Sequence, residues 1–279
     1  MYKIVLDSCG EIPEELKNDS HFCHVALTLD VDGVQIPDDE TFDQLSFLQL
    51  VKESEQGPKS ACPSPDAFME AFMGDADHVY VITLSGELSG SYNSALVAKD
   101  MFEEEFGDKK QIYVFNSKSA SIGETLIALK VRELEEAGAS FEDIVAETER
   151  YIDSQNTFFV LETLETFRKN GRLSGLKNFV VNALNIKPIM ASTETGYIYM
   201  MDQARGMKKA ITKMVEGMIS KTKNCEEKII AISHCNCPER AEFVKETILK
   251  MGHFKDVIVL NMAGVSSMYA NDGGVIIAV

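Results

Sequence analysis

The chain has 279 residues, 45% hydrophobic and 25% charged, a balance that fits one large or two ordinary folded domains and excludes an extended disordered chain. Lys and Arg number 27 against 44 Asp and Glu, a net charge of −17 that repels nucleic-acid phosphates and anionic membrane surfaces, with no basic patch visible to offset it. No run approaches the ~18 apolar residues of a membrane span. Met1-Tyr2-Lys3-Ile4-Val5-Leu6 meets Asp7 before a signal-peptide core can form. The expected location is therefore the cytoplasm, where six cysteines need no disulfide framework.

Lys3-Ile4-Val5-Leu6 reads as a strand that runs into Asp7-Ser8-Cys9-Gly10, followed by a short helix around Ile12 to Leu16. A hairpin is expected next, pairing Val25 to Leu29 with Val34 to Ile36 through Asp30-Val31-Asp32-Gly33. Thr41 is expected to cap a helix through Leu45, Leu48 and Val51. The proline loop from Gly57 to Pro65 excludes a central strand or a helix interior. Ser64 suits the cap of the next helix, with Pro65 at its first position and Phe68 and Phe72 one turn apart. Val79 to Thr83 is a strand leading through Ser89-Gly90-Ser91-Tyr92-Asn93-Ser94 into a helix. Gln111 to Phe115 leads in the same way into Asn116-Ser117-Lys118-Ser119-Ala120-Ser121. Helices follow over Ser121 to Ala137 and from Ser140 to Ile152, the second with a capping box at Ser140-Phe141-Glu142-Asp143.

This alternation of strand and helix predicts a parallel sheet covered on both faces, ending near residue 155. In the second half, Thr157 to Leu161 and Asn185 to Met190 read as strands. Between them, Leu164 to Asn182 is expected to be helical with a break at Asn170-Gly171-Arg172. Thr195 to Met200 returns as a hairpin. Helices at Gly206 to Ile219 and Pro238 to Met251 and strands at Ile229 to Ser233, Asp256 to Leu260 and Gly274 to Ala278 complete a mixed or antiparallel sheet. The expected fold is two α/β domains, residues 1–155 and 156–279.

Three Ser-bearing loops follow three strands, and the ends of parallel strands lie on one side of a sheet. Free N–H groups and hydroxyls there suit a phosphate or carboxylate. The same serines also serve as helix caps and turn formers. His21-Phe22-Cys23-His24 and His234-Cys235-Asn236-Cys237 have spacings too tight for an ordinary zinc site, so no metal is expected. Neither Gly-x-Gly-x-x-Gly nor Gly-x-x-x-x-Gly-Lys-Ser/Thr occurs, and Gly86-Glu87-Leu88-Ser89-Gly90 places its serine one step late for a nucleophile elbow.

In order, Asp7-Ser8 with Ile12-Pro13, the loop Ser60 to Pro65, Leu88 to Ala95, Asn116 to Gly123, Leu161 to Leu164, Lys169 to Ser174, Ile186 to Ile189 and Ala204 to Ala210 resemble the DegV family of bacterial fatty-acid-binding proteins. The resemblance implies a non-catalytic carrier with no cofactor. It would bury one long-chain fatty acid, hold the carboxylate at the domain interface, and present it to a separate ATP-dependent fatty-acid kinase subunit. Carried over, Ser60 and Ser89 would bind the carboxylate, with Gly90 and Ser91 of the same loop, and Arg172 and Arg205 would contact the partner. A histidine usual in the family falls at Ala270, so Tyr269 or Asn271 is expected to replace it as a donor. Hydroxyl and N–H donors suffice for such a headgroup, because a tail of about 16 carbons at roughly 0.8 kcal/mol per buried methylene supplies most of the binding energy. The alternative from a different class is an enzyme acting on a small phosphorylated substrate at the Ser-rich strand ends.

Overall fold

The computed structural model describes residues 1–173 and 185–279. Strand β1 (Tyr2–Asp7) pairs in parallel with β2 (Phe22–Val25). The chain then leaves this sheet for β3 (Thr28–Val31) and β4 (Val34–Pro37), an antiparallel hairpin, and reaches α1 (Gln44–Glu53). Strand β5 (Lys59–Ala61) joins the other edge of β3, giving a small sheet in the order β4-β3-β5. The expected strand Val25 to Leu29 is thus divided between two sheets. Val25 closes β2, whereas Leu29 is buried in the hairpin. His24 lies inside β2, with its ring turned to the Gly10 carbonyl at 2.8 Å, rather than at the head of a strand. The cap of α1 is Asp43, whose carboxylate accepts from Ser46 N, and not Thr41, which bonds to Asp39. Ser64 does cap α2 (Pro65–Phe72).

Strands β6 (His78–Thr83) and β7 (Gln111–Asn116) complete a parallel sheet in the order β2-β1-β6-β7. Alternation along β1 and β6 sends Val5, Val79 and Val81 to one face, against Phe68 and Phe72 of α2 and Ala95, Ala98 and Phe102 of α3 (Ser91–Phe106). Ile4, Leu6, Tyr80 and Ile82 face the other way, against Ile127 and Val131 of α4 (Ile122–Glu136) and Ile144 and Ile152 of α5 (Phe141–Ser154). Ser140 caps α5 as predicted, its hydroxyl receiving Asp143 N, while the Asp143 carboxylate accepts from that same hydroxyl at 2.8 Å in place of the reciprocal bond of a full box.

The second half supplies β8 (Thr157–Val160), α6 (Glu165–Lys169), β9 (Ile186–Ser192), β10 (Ile198–Arg205), α7 (Met207–Lys221), β11 (Ile229–His234), α8 (Pro238–Met251), β12 (Asp256–Asn261), α9 (Gly264–Ala270) and β13 (Val275–Ala278). Its six strands run β10-β9-β8-β13-β11-β12, with β11 and β12 parallel and the other pairs antiparallel. The helix expected over Leu164 to Asn182 is described only as α6 and the turn after it, because residues 174–184, including Ser174, lie outside the described residues. Helix α9 has no counterpart in the sequence reading. Period-two alternation decides which side each strand residue takes. Phe158, Ile189 and Ile277 pack on α7 and α8, whereas Phe159, Met190 and Ile276 face a second cluster containing Leu161 and Ala270. Helix α4 lies between the two large sheets, with Ile122 and Leu126 packed on Ala231 of β11 and Ala278 of β13.

Candidate functional site

A cavity of about 310 Å³ opens where the Ser89 loop, the small sheet, α9 and the inner face of the six-stranded sheet meet. Its apolar wall takes Leu27, Leu84 and Leu88 from the first half and Phe159, Leu161, Phe167, Ile198, Val265 and Ile276 from the second. Phe159, Ile198 and Ile276 are strand residues on the face of the six-stranded sheet turned away from α7 and α8, Val265 comes from α9 and Phe167 from α6, and Leu27, Leu84, Leu88 and Leu161 come from the loops at strand ends. The rim is polar. Ser60 is the middle residue of the short edge strand β5, and Ser89 and Gly90 lie at the entrance to α3. Arg172 and Tyr269 close the other side, with the Tyr269 ring tilted at 44° against Phe167 and the ring centroids 4.7 Å apart. Burial raises the Tyr269 phenol pKa, and the neighbouring Arg172 charge and Ser60 hydroxyl oppose that shift.

The structure brings Ser60, Ser89, Gly90, Arg172 and Tyr269 to one cavity and leaves three expected residues elsewhere. Ser91 is fully buried behind the loop, its hydroxyl donated to Asp7 at 2.5 Å. Asn271 caps α9 from outside the cavity lining, with its amide on the Tyr269 carbonyl at 3.1 Å. Arg205 lies in a separate shallow groove with Lys208, Lys209 and Lys213. The sequence reading saw no basic patch; strand β10 and the first turns of α7 assemble this one, because Arg205 ends the strand just before that helix begins. Arg172, expected at an exposed partner contact, instead donates to Leu88 O at 3.2 Å and Asn170 O at 2.6 Å and lines the cavity. Ala270, where the family histidine falls, is buried in the cavity wall.

Residues missed by sequence reading hold the site in place. Asp38, from the loop after β4, accepts Gly264 N at 2.7 Å and Val265 N at 2.8 Å, and so fixes the start of α9. Burial pushes its carboxyl up to about 6, against these hydrogen bonds and that from Ser8. Ser119 and Thr157 share a hydroxyl contact at 2.5 Å in the cavity wall, which satisfies both. The β9–β10 turn closes one side: Ser85 Oγ donates to Gly196 O at 3.0 Å. A Cβ at Gly196 would strike Ser85 Oγ and come within 2.9 Å of the Lys118 Cα, and its φ of +92° is a left-handed value. Gly196→Ala is expected to destabilise the protein by about 2 kcal/mol, from backbone strain plus displacement of the turn. Urea unfolding checks it, and an unchanged midpoint would mean that the turn does not seal the wall.

Neither His/Cys segment forms a cluster with metal-binding spacing among the described residues, and Cys237 instead meets Gly274 O at 3.5 Å. No described helix is long and apolar enough to cross a membrane.

A family model described as the DegV family matches residues 1–279. A DegV domain-containing protein of Streptococcus pneumoniae is 33% identical over 281 residues, spanning 99% of this chain and 97% of that one. A DegV family crystal structure from Ruminococcus gnavus, refined with vaccenic acid, matches at 50% identity and a TM-score of 0.97 over 100% of this chain and 99% of that one. The Streptococcus pneumoniae Fatty Acid Kinase (Fak) B3 protein, loaded with linoleic acid, matches at 31% identity and a TM-score of 0.90, over 100% and 98% of the two chains. With a match that runs the length of the sequence and a fold shared over the whole chain, the chain belongs to the DegV family.

Proposed function

We propose that this chain binds one long-chain fatty acid, its tail in the apolar cavity and its carboxylate at the rim. The observation that carries this reading is the cavity's division into a Leu/Phe wall and a hydroxyl-bearing rim. It is supported by the fatty acids in the Ruminococcus and Streptococcus relatives. Ser60, Ser89 and the Gly90 backbone are the carboxylate donors, Tyr269 takes the place of the family histidine, and Asn271 steadies Tyr269 through its carbonyl. The division at residues 155 and 156 separates a headgroup-holding unit, 1–155, from a tail-holding unit, 156–279. The chain performs no chemistry itself. It presents the carboxylate to an ATP-dependent kinase subunit in the cytoplasm, and the Arg205 groove is the contact that meets that partner.

Native mass spectrometry of protein purified from a bacterial host, with solvent extraction of the bound material, tests the reading. A mass excess of one long-chain fatty acid is expected. A clean apo mass that persists after incubation with such acids would overturn it and bring forward an enzyme of phosphorylated substrates. Ser89→Ala is expected to weaken binding by about 1–3 kcal/mol, the cost of an under-satisfied carboxylate, without changing the fold. Displacement of a fluorescent fatty acid measures this, and unaltered affinity removes Ser89 from the site. Arg205→Ala is expected to leave lipid affinity intact and slow acyl-phosphate formation with the kinase about ten-fold, as loss of a charged interface contact does; a loss of lipid affinity instead would place Arg205 in the binding site.

A further inference from the structure

Asp7 organises the loop that carries Ser89 and Gly90. Its Oδ2 accepts Leu84 N at 3.0 Å and Ser91 Oγ at 2.5 Å, and its Oδ1 accepts Cys9 N at 3.1 Å. Ser91 N is in turn held by Ser89 Oγ at 3.2 Å. One carboxylate therefore ties the end of β1 to both ends of the loop at the cavity rim.

Opposite Asp7, the first turn of α4 places Glu124. It is wholly buried, because α4 is covered by a sheet on either side, and neither of its carboxyl oxygens has a hydrogen-bond partner among the described residues. Ligand atoms of Glu124, Asp7 and Cys9 lie within 4.8 Å of one another. The titratable groups that reach Glu124 are Asp7 from β1 and Cys9 and Glu11 from the loop behind it, while Asp7 in turn raises Asp38 of the small-sheet loop. His24 is directed at the Gly10 carbonyl, and no lysine or arginine of the described residues is among the groups that act on Glu124 or Asp7. An ionised Glu124 would be a second buried anion with no donor beyond the weak Cys9 thiol, which the low dielectric penalises heavily. A protonated Glu124 has a donor to offer and an anion beside it to receive it.

We propose that Glu124 is a positioning residue: as a neutral acid it donates its proton to the Asp7 carboxylate, and so fixes the loop that presents Ser89 and Gly90 to the ligand. No bond is made or broken, and the proton stays on Glu124 as long as the acid is neutral. Burial first, and the Asp7 charge second, raise the Glu124 pKa well above its ordinary value, which agrees with this geometry. With the folded pKa raised, the favourable contribution is present at low pH and is lost as pH rises through it. The inference rests on the fatty-acid reading for its functional consequence, but not for the state of Glu124.

The test compares wild type with Glu124→Gln, which keeps a donor and cannot ionise, and Glu124→Leu, which keeps neither. Oleic acid affinity is measured by displacement of a fluorescent fatty acid from about pH 6 to about pH 9, and unfolding of the delipidated proteins is followed over the same range. Ratios to wild type cancel the titration of the ligand itself. At the acid end, the Gln variant is expected to bind within about two-fold of wild type, and the Leu variant about ten-fold more weakly. Toward the alkaline end, wild type is expected to lose affinity and unfolding midpoint relative to the Gln variant. Parallel wild-type and Gln profiles, or a Leu variant that binds like wild type, would overturn the proposal. So would a stoichiometric divalent metal in wild type that disappears from the Gln variant, because the three ligand atoms would then serve a cation. If no protein binds oleic acid at any pH, the fatty-acid reading fails, while the unfolding profiles still decide whether Glu124 holds a proton.

Discussion

Asp7→Ala is expected to lower the unfolding midpoint by roughly 10 °C, corresponding to about 3–5 kcal/mol for a chain of this size. The carboxylate receives two backbone N–H groups and one hydroxyl, all in a region closed to water. Removing it leaves three buried donors unpaired, each costing about 1–3 kcal/mol, while relief of the carboxylate's own burial returns part of that sum. The loss is expected to fall on both sheets, because Asp7 ends β1 and its partners position the loop that meets the second half at Arg172. Differential scanning calorimetry of the apo proteins measures it. A midpoint within about 2 °C of wild type, under 1 kcal/mol, would show that water replaces the carboxylate and that the loop does not depend on it.

Glu11→Gln is expected to stabilise the protein by about 3 kcal/mol above neutral pH and to change little near pH 5. Glu11 is buried, with Ser121 Oγ 2.8 Å from one carboxyl oxygen and 3.0 Å from the other. Burial carries its pKa from 4.5 to about 7, and the hydrogen bonds only partly offset that. A carboxyl whose folded pKa is raised contributes its stability below pH 4.5 and loses it as pH climbs to about 7. Glutamine keeps an acceptor for Ser121 and cannot ionise, so the loss over that window is expected to vanish. Asp38, pushed up to about 6, and Glu124, raised well above its ordinary value, leave declines of the same sign in both proteins, so the difference between the two curves reports Glu11. Urea unfolding at about pH 5 and about pH 8 reads the difference, and two parallel curves would count against a titrating Glu11.

Much of the architecture was legible because it rests on local rules. The capping pairs at Ser64 and Ser140 are written in adjacent residues, and each hydroxyl makes the expected bond. The parallel sheet follows from strands alternating with amphipathic helices. Thr41 misled because Asp43, two residues later, is an equally good cap, and the choice depends on where α1 packs Phe47 in the core. The split at residues 25–28 was not legible, since an apolar run does not say which of two sheets will pair with it. At the site, Ser60 and Ser89 stand out by residue type and loop context, whereas Asp38 and Glu124 do not. Their roles come from partners more than a hundred residues away, Gly264 for Asp38 and Asp7 for Glu124. The basic groove escaped notice although Arg205, Lys208, Lys209 and Lys213 fall within nine residues with no acid between them, because the net charge of −17 over the whole chain hides so short a run.

Strand β13 lies between β8 and β11, joining the group β10-β9-β8 to the pair β11-β12. It follows all five of these strands in the chain. During synthesis the ribosome therefore releases two incomplete sheets, each with an unpaired central edge, and neither can bury the cavity wall until residues 275–278 arrive. Partners so far apart in sequence impose a large loop-closure entropy, which slows folding and lengthens the time that apolar edges stay open to other chains. Truncation just before Val275 removes β13 and leaves a gap between two half-sheets, with the facing edges of β8 and β11 both unpaired.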